Sequence, residues 1–185
     1  MTAAAEAKRV AKELLEALGP ACEQLVVAGS LRRGAAEVKD IELVAVPRVG
    51  VDLFGAPNGV CELGRALERE VAIGRLRWRT ETHPAGERGI GAARRAWYLV
   101  ALPGEVRIDL FAVRPPAQWG AILAIRTGPA EYSRQLVTVC QRRGLRCTEG
   151  HLVNARGELV PTPTERAFIE ACGLPWREPR DRGVR

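Results

Sequence analysis

The sequence predicts an α+β fold: a mixed sheet with flanking helices, followed by a smaller C-terminal α+β part. Three observations lead there. Residues 2–18 carry an apolar stripe at helical spacing, formed by Ala5, Val10, Leu14, Leu15 and Leu18. Apolar runs at 23–28, 40–46, 96–102 and 106–113 have the length and composition of strands. After Pro115-Pro116 the pattern changes to two helical segments, a hairpin and a short final helix.

The elements follow in order. Thr2 is expected to cap the first helix, and Gly19-Pro20 stops it. Residues 23–28 form a strand leading into a Gly-Ser turn, and Asp40 to Val46 form the next, ended by Pro47. PNGVCELGRALEREV, residues 57–71, reads as a helix with Asn58 as cap and Leu63, Leu67 and Val71 on one face. Residues 72–80 suit a strand, and 82–94 a Gly-rich basic loop that is either a nucleic-acid contact or a plain hairpin tip. Pro103-Gly104 turns the chain between strands 96–102 and 106–113. A helix ends at Thr127-Gly128-Pro129, and another spans 130–143 with Tyr132, Leu136, Val139 and Cys140 as its apolar side. Residues 145–160 read as a hairpin with Ala155-Arg156-Gly157 at its tip. Thr164 caps a last helix that Gly173 ends, and Trp176 is expected to anchor a core.

The chain has 185 residues, enough for one domain or two small subdomains. Charges interrupt every apolar run, so nothing reads as a transmembrane helix, and the charged N-terminus is no signal peptide. A cytoplasmic or nucleoid-associated monomer is therefore expected. The five cysteines (Cys22, Cys61, Cys140, Cys147, Cys172) lack C-x-x-C spacing and read as reduced thiols, neither a zinc site nor a disulfide frame. Net charge is +6, and residues 114–185, with 12 Lys or Arg against 7 Asp or Glu, hold most of it. Such a basic part suits a polyanion, although an arginine-rich composition alone explains it equally well. Lysine occurs only at 8, 12 and 39, which leaves few candidates for Schiff-base chemistry.

Chemistry concentrates in residues 27–46, VAGSLRRGAAEVKDIELVAV. In a strand, residues two apart share a face, so Asp40 and Glu42 present two carboxylates while Ile41 turns the other way. Adjacent carboxylates repel unless a cation lies between them, and oxygen-only ligands suit Mg²⁺ or Mn²⁺. Upstream, Gly29 permits close backbone approach, and Ser30 with Arg32 and Arg33 offers a grip for phosphate oxygens. A bare D-x-E is otherwise the polar edge of a half-buried strand. Asp109, within VRIDLF, is likewise a solvated edge residue or a third member of the set.

Gly-Ser followed after a spacer by D-h-[DE]-h, with h apolar, resembles the nucleotidyltransferase superfamily, and GSLRRG resembles the family X DNA polymerases. VRIDLF is similar to the family's third-carboxylate strand. AQWGAILAIRTGPAEYSRQLVTVCQRRG and PTPTERAFIEACGLPWREPRDR resemble its C-terminal stretches. The resemblance covers essentially the whole chain in order. It implies a nucleotidyltransferase palm over 1–115 and a nucleotide- and DNA-binding C-terminal subdomain over 116–185, hinged at Pro115-Pro116. It matches the reduced form of the family known from a large DNA virus, without lyase or helix-hairpin-helix parts, so no removal of abasic-site sugar is expected.

The same resemblance implies the chemistry. Asp40 and Glu42 bridge two Mg²⁺ (or Mn²⁺) ions, and Asp109 binds the catalytic one. Gly29, Ser30 and Arg33 hold the triphosphate of a dNTP, while the Arg32 side chain points elsewhere. Thr127, Gly128 and Ser133 line the nucleotide site, and the bond after Gly128 is expected to be cis. Basic residues of 134–146 hold primer or template phosphates. The partner is primer-template or gapped DNA, and the outcome is dNMP addition to a 3′-hydroxyl, as in short-gap filling during repair. Three departures bear on details. Glu42 stands where the family usually has Asp, Ile125-Arg126 where it often has Tyr-Phe, and Ser133 and Val137 where many relatives have Asn and Arg. Metal preference, sugar selectivity, fidelity and template dependence are therefore left open. So are two alternatives: transfer to another acceptor (an RNA end, an untemplated 3′ end, a protein or a small molecule), and a metal-free nucleic-acid-binding relic.

Overall fold

The computed structural model describes residues 1–51, 53–54, 56–79 and 96–183. It is α+β and falls into two compact units. The first comprises Met1–Val27 and Ala36–Ala112, the second Ala28–Ala35 and Val113–Arg185. The sequence division at 115–116 falls close to Val113, but segment 28–35, grouped by sequence with the N-terminal part, belongs by its contacts to the second unit.

The first unit is built on a five-stranded mixed sheet. Its strands are β2 (Cys22–Val27), β4 (Ile41–Pro47), β7 (Leu76–Trp78), β8 (Ala96–Ala101) and β9 (Val106–Ala112), in the order β2-β4-β9-β8-β7. β4 and β9 run parallel; every other neighbouring pair is antiparallel. Alternation decides which face is covered. Ile41, Leu43 and Ala45 of β4, Val106, Ile108 and Leu110 of β9, and Trp97 and Leu99 of β8 are buried on one face. Helices α1 (Ala4–Leu18) and α3 (Glu62–Ala72) pack against the sheet at β2 and β7 and against each other. The apolar stripe of α1 explains this: Ala7, Val10, Ala11, Leu14 and Leu18 are buried. The other face carries Glu42, Arg107 and Asp109, which are half-buried or exposed.

Three sequence expectations change here for local reasons. Thr2 does not cap α1: it lies in β1 (Thr2–Ala3), paired with Val38 of β3 (Glu37–Val38), and Ala3 takes the cap position. The segment 57–71 is not one helix. Pro57–Cys61 is strand β6, paired with β5 (Val49–Val51), and Gly59 with φ 75° suits a bent hairpin rather than a helical turn. The helical period is real but begins at Glu62, where Leu63 and Leu67 are buried. The strand expected over 72–80 is shorter, because α3 extends to Ala72. The basic loop read at 82–94 lies outside the described residues.

The second unit consists of α2 (Gly29–Arg32), α4 (Trp119–Thr127), α5 (Ala130–Arg142), the three-stranded antiparallel sheet β10 (Arg146–Thr148), β11 (His151–Val153) and β12 (Leu159–Val160), and α6 (Glu165–Cys172). The expected hairpin is thus a three-stranded meander. Ala121, Ala124, Tyr132, Leu136, Cys140, Leu152, Phe168, Ile169 and Cys172 form its core, with Trp176 packed against them. α6 follows its sequence signals: Thr164 Oγ1 accepts from the Ala167 amide at 3.1 Å, and Gly173 ends the helix at φ 98°. Among the described residues, no helix is long and apolar enough to cross a membrane.

Candidate functional site

In the first unit, the parallel register places Glu42 directly against Asp109. Partners in register share a face, so strand pairing alone brings these two carboxylates side by side. Both are half-buried, whereas Ile41 and Ile108, facing the helices, are fully covered. Asp40 immediately precedes β4. The same row continues across the sheet. Tyr98 of β8 pairs with Asp109, and Arg79, one residue beyond β7, donates its amide to the Tyr98 carbonyl at 3.1 Å. The Arg79 guanidinium lies 5.7 Å from the Tyr98 ring centroid, and its Nη1 donates to Asp109 Oδ1 at 2.7 Å. Tyr98 is steadied in turn by an edge contact with Phe111, at 6.4 Å and 87°.

This donor set is of the kind Mg²⁺ or Mn²⁺ takes: hard oxygens, partly open to solvent, in a pair that demands a counter-charge. Asp109 already receives one from Arg79. Asp40, Glu42 and Asp109 fit such an ion in chemistry. As they stand, however, no three Asp, Glu, His or Cys side chains among the described residues converge to hold one.

In the second unit, Gly29 opens α2 at φ 62°, a left-handed conformation that glycine adopts without strain. Ser30 is half-buried, and its carbonyl accepts from the Ala35 amide. The two arginines that follow are both engaged. Arg32 makes a bidentate pair with Glu165 at 2.7 and 2.8 Å and donates to Thr127 Oγ1 at 2.6 Å. Arg33 donates to the Thr127 carbonyl at 2.7 Å. Thr127 is fully buried, so here it ties both arginines to the end of α4. Ser133 Oγ donates to the Ile125 carbonyl at 2.9 Å and closes the same helix end. Gly128 lies so close to Tyr132 and Ser133 that a Cβ there would sit 2.9 Å from the tyrosine ring. The Gly128–Pro129 bond is trans, contrary to expectation. Cis bonds among the described residues occur at Leu102–Pro103 and Pro115–Pro116. Extended backbone at Gly128 and Pro129 (ψ 158° and 155°) carries the chain from α4 into α5 without one.

Sequence reasoning missed Glu165 and Arg182. Arg182 Nη1 donates to Glu165 Oε1 at 2.6 Å, so Glu165 bridges two arginines inside the second unit. Burial pushes the Glu165 carboxyl up, but hydrogen bonds and charge from Arg32 and Arg182 outweigh it and hold the group below the ordinary carboxylate value.

Comparison with known proteins adds two likenesses. Residues 122–183 match the family model described as DNA polymerase beta thumb. DNA polymerase lambda of Rattus norvegicus is 25% identical over 195 residues, an alignment covering 97% of this chain. These comparisons make the chain similar to family X DNA polymerases. It spans about a third (32%) of the length of that relative. The thumb match lies wholly within the second unit and takes in Thr127, Gly128, Ser133, Glu165 and Arg182. The candidate carboxylates of the first unit lie outside that match but within the span aligned to the relative.

Proposed function

We propose that the protein transfers nucleotidyl groups from a dNTP to the 3′-hydroxyl of a DNA primer, releasing pyrophosphate, as in the filling of short gaps during repair. The observation that carries this reading is the in-register pair Glu42 and Asp109 on the half-open face of a mixed sheet. The polymerase thumb match over 122–183 and the likeness to a DNA polymerase along nearly the whole chain support it.

In this reading Asp40, Glu42 and Asp109 hold divalent cations through carboxylate oxygens. Bound there, Mg²⁺ or Mn²⁺ supplies charge neutralisation for the triphosphate and a lowered pKa for the attacking hydroxyl. Gly29, Ser30 and Arg33 orient the phosphates, and the basic residues of 134–146 bind DNA phosphates. Chemistry then rests on positioning and electrostatics, as in phosphoryl transfer generally.

Primer extension on a one-nucleotide gapped DNA tests the proposal, with each dNTP and rNTP offered singly and Asp109→Ala as control. Incorporation of the complementary dNTP alone, lost in Asp109→Ala, supports it. Untemplated or ribonucleotide addition keeps the chemistry and moves the acceptor class. No incorporation by folded protein with either metal overturns it.

A further inference from the structure

We propose that Arg79 is a resident counter-ion of the carboxylate site. It is a positioning residue that occupies Asp109, so that a divalent cation gains this ligand only by displacing the guanidinium. The inference rests on the reading of Asp109 as a metal ligand, and it goes beyond that reading by naming what the cation must compete with.

Geometry carries the argument. Glu42, Asp109 and Tyr98 lie in one row across three neighbouring strands, fixed by strand register, and Arg79, just beyond β7, extends it through its amide bond to Tyr98. Arg79 is held there twice, by its amide on the Tyr98 carbonyl and by its guanidinium over the Tyr98 ring. From this anchorage it reaches Asp109 at 2.7 Å, and the two side chains are only 14% and 20% exposed. The nearby pair Arg77–Glu105 makes the contrast: 3.3 Å, with side chains 53% and 73% exposed. A well-screened pair of that kind contributes little, whereas a close, poorly hydrated pair persists.

A guanidinium and a divalent ion want the same carboxylate oxygens, and two cations on one carboxylate repel. Apparent metal affinity is therefore the intrinsic affinity scaled by the fraction of molecules whose Asp109 is released. Removing the arginine removes that competition.

The test measures free Mn²⁺ by electron paramagnetic resonance during titration, without DNA or nucleotide. The proteins are wild type, Arg79→Met, Arg79→Gln, Arg77→Met, Asp109→Asn and Arg79→Met combined with Asp109→Asn, each verified as folded by thermal unfolding. The proposal expects both Arg79 variants to bind Mn²⁺ about tenfold tighter than wild type, the equivalent of ~1.4 kcal/mol. Arg77→Met, which removes a neighbouring charge without touching Asp109, changes binding by less than about twofold. In the Asp109→Asn background the Arg79→Met gain vanishes. The proposal is overturned if the Arg79 variants bind like wild type while Asp109→Asn binds more weakly; the metal reading then survives alone. Equal tightening by Arg77→Met and Arg79→Met, or a gain that persists without Asp109, also overturns it. If Asp109→Asn binds Mn²⁺ as tightly as wild type, the reading of Asp109 as a ligand fails and takes the proposal with it.

Discussion

Glu165 and Arg182 meet inside the C-terminal unit with almost no solvent between them and the core. Their atoms are 2.6 Å apart, and the side chains are 6% and 0% exposed. Arg182 also stacks against Trp176 and Tyr132, with its guanidinium carbon 5.0 and 5.6 Å from their ring centroids. Glu165→Ala leaves Arg32 and Arg182 without their shared anion in a poorly hydrated place. Loss of one partner from such a group costs about 3–5 kcal/mol. Urea unfolding is expected to show a midpoint lowered accordingly, with Arg166→Ala, on the exposed side of the same helix, near wild type.

The same carboxylate sets a pH dependence. Its folded pKa lies below the ordinary 4.5, so the unfolded state binds the proton more readily. The stabilisation is complete above 4.5 and is lost as pH falls from there through the depressed folded value. Thermal unfolding from pH 7 to pH 3 is expected to show a steeper acid loss in wild type than in Glu165→Gln, which has no such proton to gain.

Two substitutions around α6 should differ in size. A Cβ at Gly120 would run into the backbone carbonyl of Thr164, and the Gly120 amide bonds the Thr162 carbonyl at 3.1 Å. Backbone cannot give way cheaply, so Gly120→Ala is expected to cost about 3 kcal/mol, at the upper end for overpacking. Thr164→Ala loses one cap bond and should cost about 1 kcal/mol. Differential scanning calorimetry of both variants checks the order.

Glu42 offers a test of activity. Asp at this position keeps a carboxylate opposite Asp109, and Gln does not. Under the proposed chemistry, Glu42→Gln should reduce single-nucleotide incorporation at least about a hundredfold, a loss of roughly 2.7 kcal/mol of transition-state stabilisation. Glu42→Asp should stay within about tenfold of wild type. Single-turnover rates with excess metal distinguish the two.

The thiols provide a probe of compactness. All five cysteines are thiols outside any disulfide, and all but Cys147 are buried. Burial pushes Cys22 and Cys147 up to about 11, which leaves little thiolate at neutral pH. A colorimetric thiol reagent at pH 8 is expected to label native protein slowly, Cys147 first, and all five groups at once in denaturant.

Much of the fold was legible because its signals are local. The stripe of α1, the apolar alternation of β4 and β9, and the Thr164 and Gly173 boundaries of α6 need only neighbouring residues. The failure at 57–61 was local too. Pro-Asn-Gly serves a helix entry or a hairpin equally well, and pairing with β5 decided it. The candidate site was legible by residue type and not by arrangement. Which residue faces Asp109 depends on the register of β4, β8 and β9, and no stretch of sequence encodes that by itself. Arg79 went unread for this reason. Glu165 went unread because an acidic residue in a first helical turn is ordinarily a solvated partner of the helix end. Only tertiary packing put two arginines on it.

The parallel seam between β4 and β9 has a kinetic consequence. Its two strands lie far apart along the chain, while β2 with β4 and β8 with β9 are close in sequence. Closing the seam spends the largest share of chain entropy, and non-local pairings of this kind close late. Glu42 and Asp109 become neighbours only at that step. Under the proposed chemistry, acquisition of cation affinity during refolding would therefore trail the burial of tryptophan, and the lag between the two signals would time the zipping of the sheet's centre.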